Sequence, residues 1–191
     1  RGLTVRVIPM EREGVRGSGG WDIYQLSKGQ VVSKQRYHLA QRRLVPHPFL
    51  AGSDGMAHSV HKFAEGAERV VFHCTEIDAS NRMLGPRLVA KQSKYEELVG
   101  ASSDFHLAFC RVQAEAQDLA GLFNRLVGGP PSWNVTFAEC WVYLVRDPRF
   151  SGGQVFVLAE PELEGRYTKW NNNNGAVRRR PAAGHRGGRQ R

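Results

Sequence analysis

The sequence predicts an α+β fold, a mostly antiparallel sheet of five or more strands with one long helix packed on it. Three observations carry this. Short segments with the alternating, β-branched and aromatic character of strands recur on both sides of one stretch with helical spacing. That stretch, residues 104–127, has Ser102, Ser103 and Asp104 before it as capping side chains and Gly128-Gly129-Pro130-Pro131 after it as a stop. No unit repeats along the chain. At 191 residues, 41% hydrophobic and 24% charged, the chain has the composition of a packed domain rather than of a disordered one.

Taken in order, residues 1–10 read as a first strand, with Leu3, Val5 and Val7 alternating, and 11–20 as a turn or linker. The GSGG within that linker lacks both the spacing of a phosphate loop and a following helix. Strands are expected at Trp21–Leu26 and Gln30–Gln35, an irregular passage at Pro46 and Pro48, and a loop over 51–57. Residues 68–77 and 86–91 read as paired strands joined by the polar stretch Asp78–Gly85. In the helix, Phe105, Ala108, Val112, Leu119, Leu122, Phe123 and Leu126 form one apolar stripe, expected to face the sheet. Two more strands fit Trp133–Arg146 and Gln154–Glu160.

The net charge of +9 excludes less than its size suggests, because the segment 176–191 holds six arginines and no acid, leaving +3 for residues 1–175. An Arg/Gly tail attracts nucleic acid through phosphates, but this one has no aromatic side chain to stack on a base, so nucleic acid is not an expected partner. The tail is expected to be extended and disordered. No apolar run reaches the roughly 20 residues of a membrane-spanning helix, and no basic-then-apolar leader follows Arg1, so neither a membrane nor a targeting segment is expected. Cys74, Cys110 and Cys140 are odd in number and form no CxxC pair, which argues against a disulfide framework or a four-thiolate zinc site and for a reducing, cytoplasmic location.

Four places carry chemistry. Lys91 ends the apolar strand LVAK, where its ammonium suits a phosphate. Glu115 lies three and four residues from Val112 and Leu119 on the apolar stripe. Either it faces inward and pairs with a cation such as Lys91, or it sits at the flank and reaches water. Gly66-Ala67-Glu68-Arg69 links two strand-like segments. It reads as a close-approach turn with a phosphate-clamping arginine, or as an ordinary hairpin. Finally, the strand Val155–Ala159 breaks at Glu160-Pro161, freeing backbone groups that suit the edge of a purine.

Five stretches, in order, resemble the alpha-kinase family, the atypical Ser/Thr kinases that include the myosin heavy chain kinases and elongation factor-2 kinase. They are FAEGAERVVFH (63–73), LVAK (88–91), QAEAQDLAGLFN (113–124), FAECWVYLV (137–145) and VLAEPELEGRYTKWNNNNG (157–175). The resemblance covers roughly residues 60–175, with Glu68 standing where the family has Met. It implies the N-terminal lobe of an atypical protein kinase, a hinge, and an incomplete C-terminal lobe. By resemblance, Lys91 holds the α/β-phosphates of ATP, Arg69 contacts phosphate beside Gly66, and Glu115 pairs with and orients Lys91. Val71 and Val89 roof the adenine, while Glu160 and the backbone through Leu163 receive it. Lys169, Asn172, Asn174 and Gly175 shape the substrate cleft.

The expected activity is transfer of the γ-phosphoryl of ATP to a protein Ser or Thr, with Mg²⁺ in the full-length family member. The Asp-x-Gln-Gly region that carries the family's catalytic and metal-binding carboxylates, and the late His/Cys zinc site, have no counterpart after Gly175. No catalytic residue or metal ligand is therefore assigned in this chain. Three parts are expected: 1–55 as an N-terminal extension or the first strands of the lobe, 56–175 as a partial alpha-type kinase domain, and 176–191 as tail. A non-catalytic nucleotide-binding regulatory module is the alternative, and a nucleic-acid-associating protein acting through its tail a more distant one.

Overall fold

The computed structural model describes residues 20–94, 103–130, 134–163 and 165. The α+β expectation takes the form there of one nine-stranded sheet and one α-helix. The strands are β1 (Trp21–Gln25), β2 (Val31–His38), β3 (Arg43–Pro46), β4 (Gly55–Ser59), β5 (Ala64–Glu65), β6 (Arg69–Ile77), β7 (Met83–Ser93), β8 (Trp141–Arg146) and β9 (Gln154–Pro161); α1 spans Asp104–Val127. Every pairing is antiparallel, in the order β1-β4-β6-β7-β9-β8-β2-β3, with β5 beside β6. Residues 21–46 thus contribute three strands to the same sheet as residues 55–161. The expected strand at 1–10 and the tail at 176–191 lie outside the described residues.

Period-two alternation gives the sheet two apolar faces. On one, Val155, Val157 and Ala159 of β9 join Tyr143 and Val145 of β8, Leu88 and Ala90 of β7, Cys74, Met56, Tyr24 and Val31 in the larger core. Inside it lies a buried ion pair, Lys34 Nζ to Glu76 Oε1 at 2.7 Å. The Tyr143 hydroxyl donates to the same oxygen at 2.8 Å, and the Leu50 N–H to the other at 2.7 Å. Lys34 is on β2 and Glu76 on β6, with β8, β9 and β7 between them. Four strand spacings of about 4.8 Å would hold the two backbones about 19 Å apart in a flat sheet, beyond the reach of the two side chains. The sheet therefore curls around this core.

Three sequence expectations change here. Residues 51–57 are a loop only as far as Asp54; Gly55–Ser59 is a fully buried strand. Its first residue must be glycine: Gly55 has φ +151°, and a Cβ there would stand 1.9 Å from the Tyr24 carbonyl oxygen. The strand expected from residue 133 begins only at Trp141, because 134–140 serves as a strap bound to α1. Gln113 Nε2 donates to Ala138 O at 2.8 Å, Gln117 Nε2 to Phe137 O at 3.0 Å, and Asn124 both donates to Val135 O and accepts from Val135 N.

The helix is also rotated from its expected setting. Its bounds are those the caps predicted, with Gly128 left-handed at the C-terminus and donating to Asn124 O. Ser103 caps without a side-chain bond. The buried residues, however, are His106, Cys110 and Ala120, whereas Val112, Leu119, Leu122, Phe123 and Leu126 are exposed, Leu126 at 77%. The polar contacts of Gln113, Gln117 and Asn124 fix this rotation by turning their side of the helix to the strap.

Candidate functional site

The helix-facing side of the sheet gathers most of the expected site residues. Register places Val71 of β6 opposite Lys91 of β7, and Lys91 opposite Leu158 of β9. Val89 stands opposite Glu160. Side chains opposite one another, or two apart on a strand, share a face, so Arg69, Val71, Val89, Lys91 and Glu160 project to the same side. Gly66 closes the β5–β6 turn, its N–H donating to Arg69 O at 2.8 Å. A Cβ at Gly66 would meet only ordinary contact, so the turn does not require glycine.

Lys91 is partly buried and its Nζ is bonded to the carboxylate of Glu160. Above it lies Phe109 of α1, with Nζ 5.6 Å from the ring centroid. The same ring also meets Arg69: the guanidinium carbon lies 4.5 Å from the Phe109 centroid and 4.9 Å from that of Phe105. Arg69 is thus held by two ring faces, a cation–π arrangement. Among the described residues it has no carboxylate partner, and its Nη1 is buried without a hydrogen-bond acceptor. Burial lowers its pKa from the ordinary guanidinium value, though a group of this basicity stays charged. A half-buried, unneutralised cation beside a lysine is a place for an anion.

Glu115 does not join this group. It is 56% exposed, with its nearest cation Arg111 at 3.9 Å. Five residues separate it from the buried Cys110, or about 140° around a helix of 3.6 residues per turn, so it faces water while Cys110 faces the sheet. The expected Lys91–Glu115 pair is replaced by a strand-to-strand pair with Glu160. Leu163 is exposed just past β9. Lys169, Asn172, Asn174 and Gly175 lie outside the described residues.

Sequence reasoning missed the helix's aromatic contribution. Phe105 and Phe109, one turn apart, carry the signal in their spacing, yet only Phe105 counted as stripe. His106 between them is 2% exposed, and burial pushes its pKa down to about 4, with the charge of Arg69 as the second cause. Cys110 and Cys140 are buried together under the same face with Val142 and Leu158. Next to them a cleft of about 500 Å³ opens between the end of β2 and α1, lined by Tyr37, His38, Gln113 and Gln117 among others. Among the described residues no group of three or more His, Cys, Asp or Glu is placed to hold a metal ion, and no helix is long and apolar enough to cross a membrane.

Residues 64–186 match the model of the Alpha-kinase family. Among solved structures, the alpha-kinase domain of myosin heavy chain kinase A complexed with AMPPCP is similar at a TM-score of 0.61 and 19% identity, over 81% of this chain and 68% of that one. The inactive form of that domain complexed with ATP gives 0.57 and 18%, over 81% and 69%. The alpha-kinase domain of myosin-II heavy chain kinase A in complex with adenosine gives 0.58 and 18%, over 89% and 70%. At these identities the likeness speaks for the fold. No curated protein matches the chain.

Proposed function

The chain belongs to the alpha-kinase family, and on that premise we propose that its curled sheet and helix form the ATP-gripping lobe of a protein kinase, which passes the γ-phosphoryl to a Ser or Thr hydroxyl of a protein substrate. The observation that supports this reading is the uncompensated Arg69 beside Lys91. A cation taken partly out of water needs an anion, and a phosphate oxygen accepting from Arg69 while Lys91 donates to its neighbour would supply one. The myosin kinase structures are complexes with ATP, AMPPCP and adenosine, so that likeness points to the same class of ligand.

Each residue has a part in this reading. Glu160 holds Lys91 against the sheet and keeps its ammonium from extending into solvent. Val71 and Val89, on the same face of the sheet as Lys91, would give the base an apolar ceiling. Pro161 has no N–H and that of Glu162 is already donated to Arg87 O at 2.9 Å, which leaves the Leu163 peptide to read the base edge. In the transfer, the substrate hydroxyl gives its proton to a base while its oxygen bonds the γ-phosphorus, the bond to the β–γ bridging oxygen breaks, and ADP leaves with that electron pair. The described residues supply cations and apolar walls for this. Among the described residues no group of three or more His, Cys, Asp or Glu is placed to hold a metal ion, and no base is assigned.

The test is a titration of the 191-residue chain with ATP and with adenosine. Lys91→Ala and Arg69→Ala should each weaken ATP by at least about tenfold, the size of a lost charge-assisted hydrogen bond, and leave adenosine unchanged. Equal ATP affinity in wild type and both variants would reject the phosphate site. A phosphotransfer assay with Mg²⁺ on the same samples should show binding without appreciable turnover.

A further inference from the structure

His106 and Arg69 present matching unmet needs. The His106 Nε2 lies 3.1 Å from the Phe156 carbonyl oxygen, which can only accept, so in the neutral ring Nε2 carries the hydrogen and Nδ1 is a bare acceptor. That Nδ1 is buried and unpartnered. The Nη1 of Arg69 is a buried donor, also unpartnered. Phe105 connects the two: the guanidinium carbon stands 4.9 Å from its ring centroid, and the imidazole lies against it edge-on at 5.2 Å. Buried polar atoms in native proteins are nearly always satisfied by protein or by an ordered water. One unmatched donor and one unmatched acceptor thus stand around a single ring with no direct bond between them, a setting for a bridging water.

We infer that neutral His106 is a positioning residue for Arg69, its Nδ1 lone pair receiving a hydrogen bond from one water that in turn accepts from the guanidinium Nη1. The inference rests on the reading of Arg69 as a phosphate contact and adds what fixes that contact in place. The chemistry explains the choice of histidine. A carboxylate there would orient the guanidinium but also neutralise it and compete with an incoming anion, as Glu160 competes at Lys91. A neutral imidazole orients the fork and leaves its whole charge for the ligand. The depression of His106 toward pKa 4 keeps the ring in that neutral form at physiological pH.

Two substitutions separate the ring's two nitrogens. His106→Gln keeps a donor for the Phe156 carbonyl and loses the acceptor toward Arg69, whereas His106→Asn keeps an oxygen near the Nδ1 position. His106→Gln should weaken ATP about tenfold, with adenosine unchanged, His106→Asn should retain most of the affinity, and His106→Gln should add nothing in an Arg69→Met background. In the ligand-free chain, the Nδ1 resonance of His106 should shift in nitrogen NMR when Arg69 becomes Met. An unmoved Nδ1 resonance, additive effects of the two substitutions, or equal loss of ATP and adenosine would each overturn the inference. If Arg69→Met leaves ATP affinity intact while the resonance moves, the contact stands and the phosphate reading of Arg69 is what fails.

Discussion

A carboxylate of this protein has a different task wherever its surroundings differ. Glu76 is buried with Lys34 and also accepts from Tyr143 and from the Leu50 N–H, so its charge and its hydrogen bonds can be tested apart. Glu76→Gln keeps an acceptor but strands the Lys34 charge in the core, which should cost about 3–5 kcal/mol in urea unfolding. Adding Lys34→Met should recover most of that loss; a double variant as unstable as the single one would show that the charge is not the source. Acid should act through the histidines. His58 and His106 are buried and neutral, each depressed to about 4 chiefly by burial. Their folded values lie below the unfolded value of about 6.5, so the unfolded chain binds more protons in between. Stability is complete above about pH 6.5 and falls toward pH 4, by on the order of 3 kcal/mol per histidine. In urea melts across that window, His58→Gln should flatten the slope by about half, and an unchanged slope would reject the assignment.

Among the elements, α1 shows what its sequence made legible and what it hid. Its C-terminal end was readable because Gly128 acts locally, and the strand that carries Lys91 was readable from its apolar run LVAK. The rotation of the helix was not. Leu119, Leu122 and Leu126 outrank Gln113, Gln117 and Asn124 in hydropathy, yet the amides have partners in the strap at 135–138, and no local pattern announces a partner many residues away. The same setting of the helix gives Glu115 the flank position facing water, one of its two readings, and not the pairing with Lys91 that the resemblance implied. β4 escaped because Gly55–Ser59 lacks β-branched residues and owes its strand state to its neighbours β1 and β6. The strap makes a prediction at this scale: Asn124→Ala removes two hydrogen bonds, should cost about 1 kcal/mol, and should speed amide exchange at Val135 while β8 stays protected. Leu126→Lys, on the exposed stripe, should stay within about 0.5 kcal/mol of wild type. A loss of several kcal/mol there would mean that the stripe is covered.

For the molecule as a whole, the curl of the sheet joins the two ends of the described chain around one core. Its cation site uses β6, β7, β9 and α1 together, so no single element carries it. The curl also has a consequence in time. β6 and β7 meet across a short connection, with Ile77 opposite Met83, whereas the seam between β2 and β8 sets Lys34 opposite Tyr143, more than a hundred residues away. Closing so long a loop costs chain entropy before any contact repays it. The β6–β7 ribbon should therefore form early on the folding route and the seam late. Val31→Ala, at the seam opposite Val145, should accelerate unfolding and hardly change the folding rate, while Val89→Ala in the ribbon should slow folding. Stopped-flow chevrons of the two variants decide it, and a seam substitution that slows folding as much as the ribbon one would reverse the order. On this ordering the protein ages from its seam: the first place a resting molecule opens is the junction that closed last, well before the strands that carry Arg69 and Lys91 part.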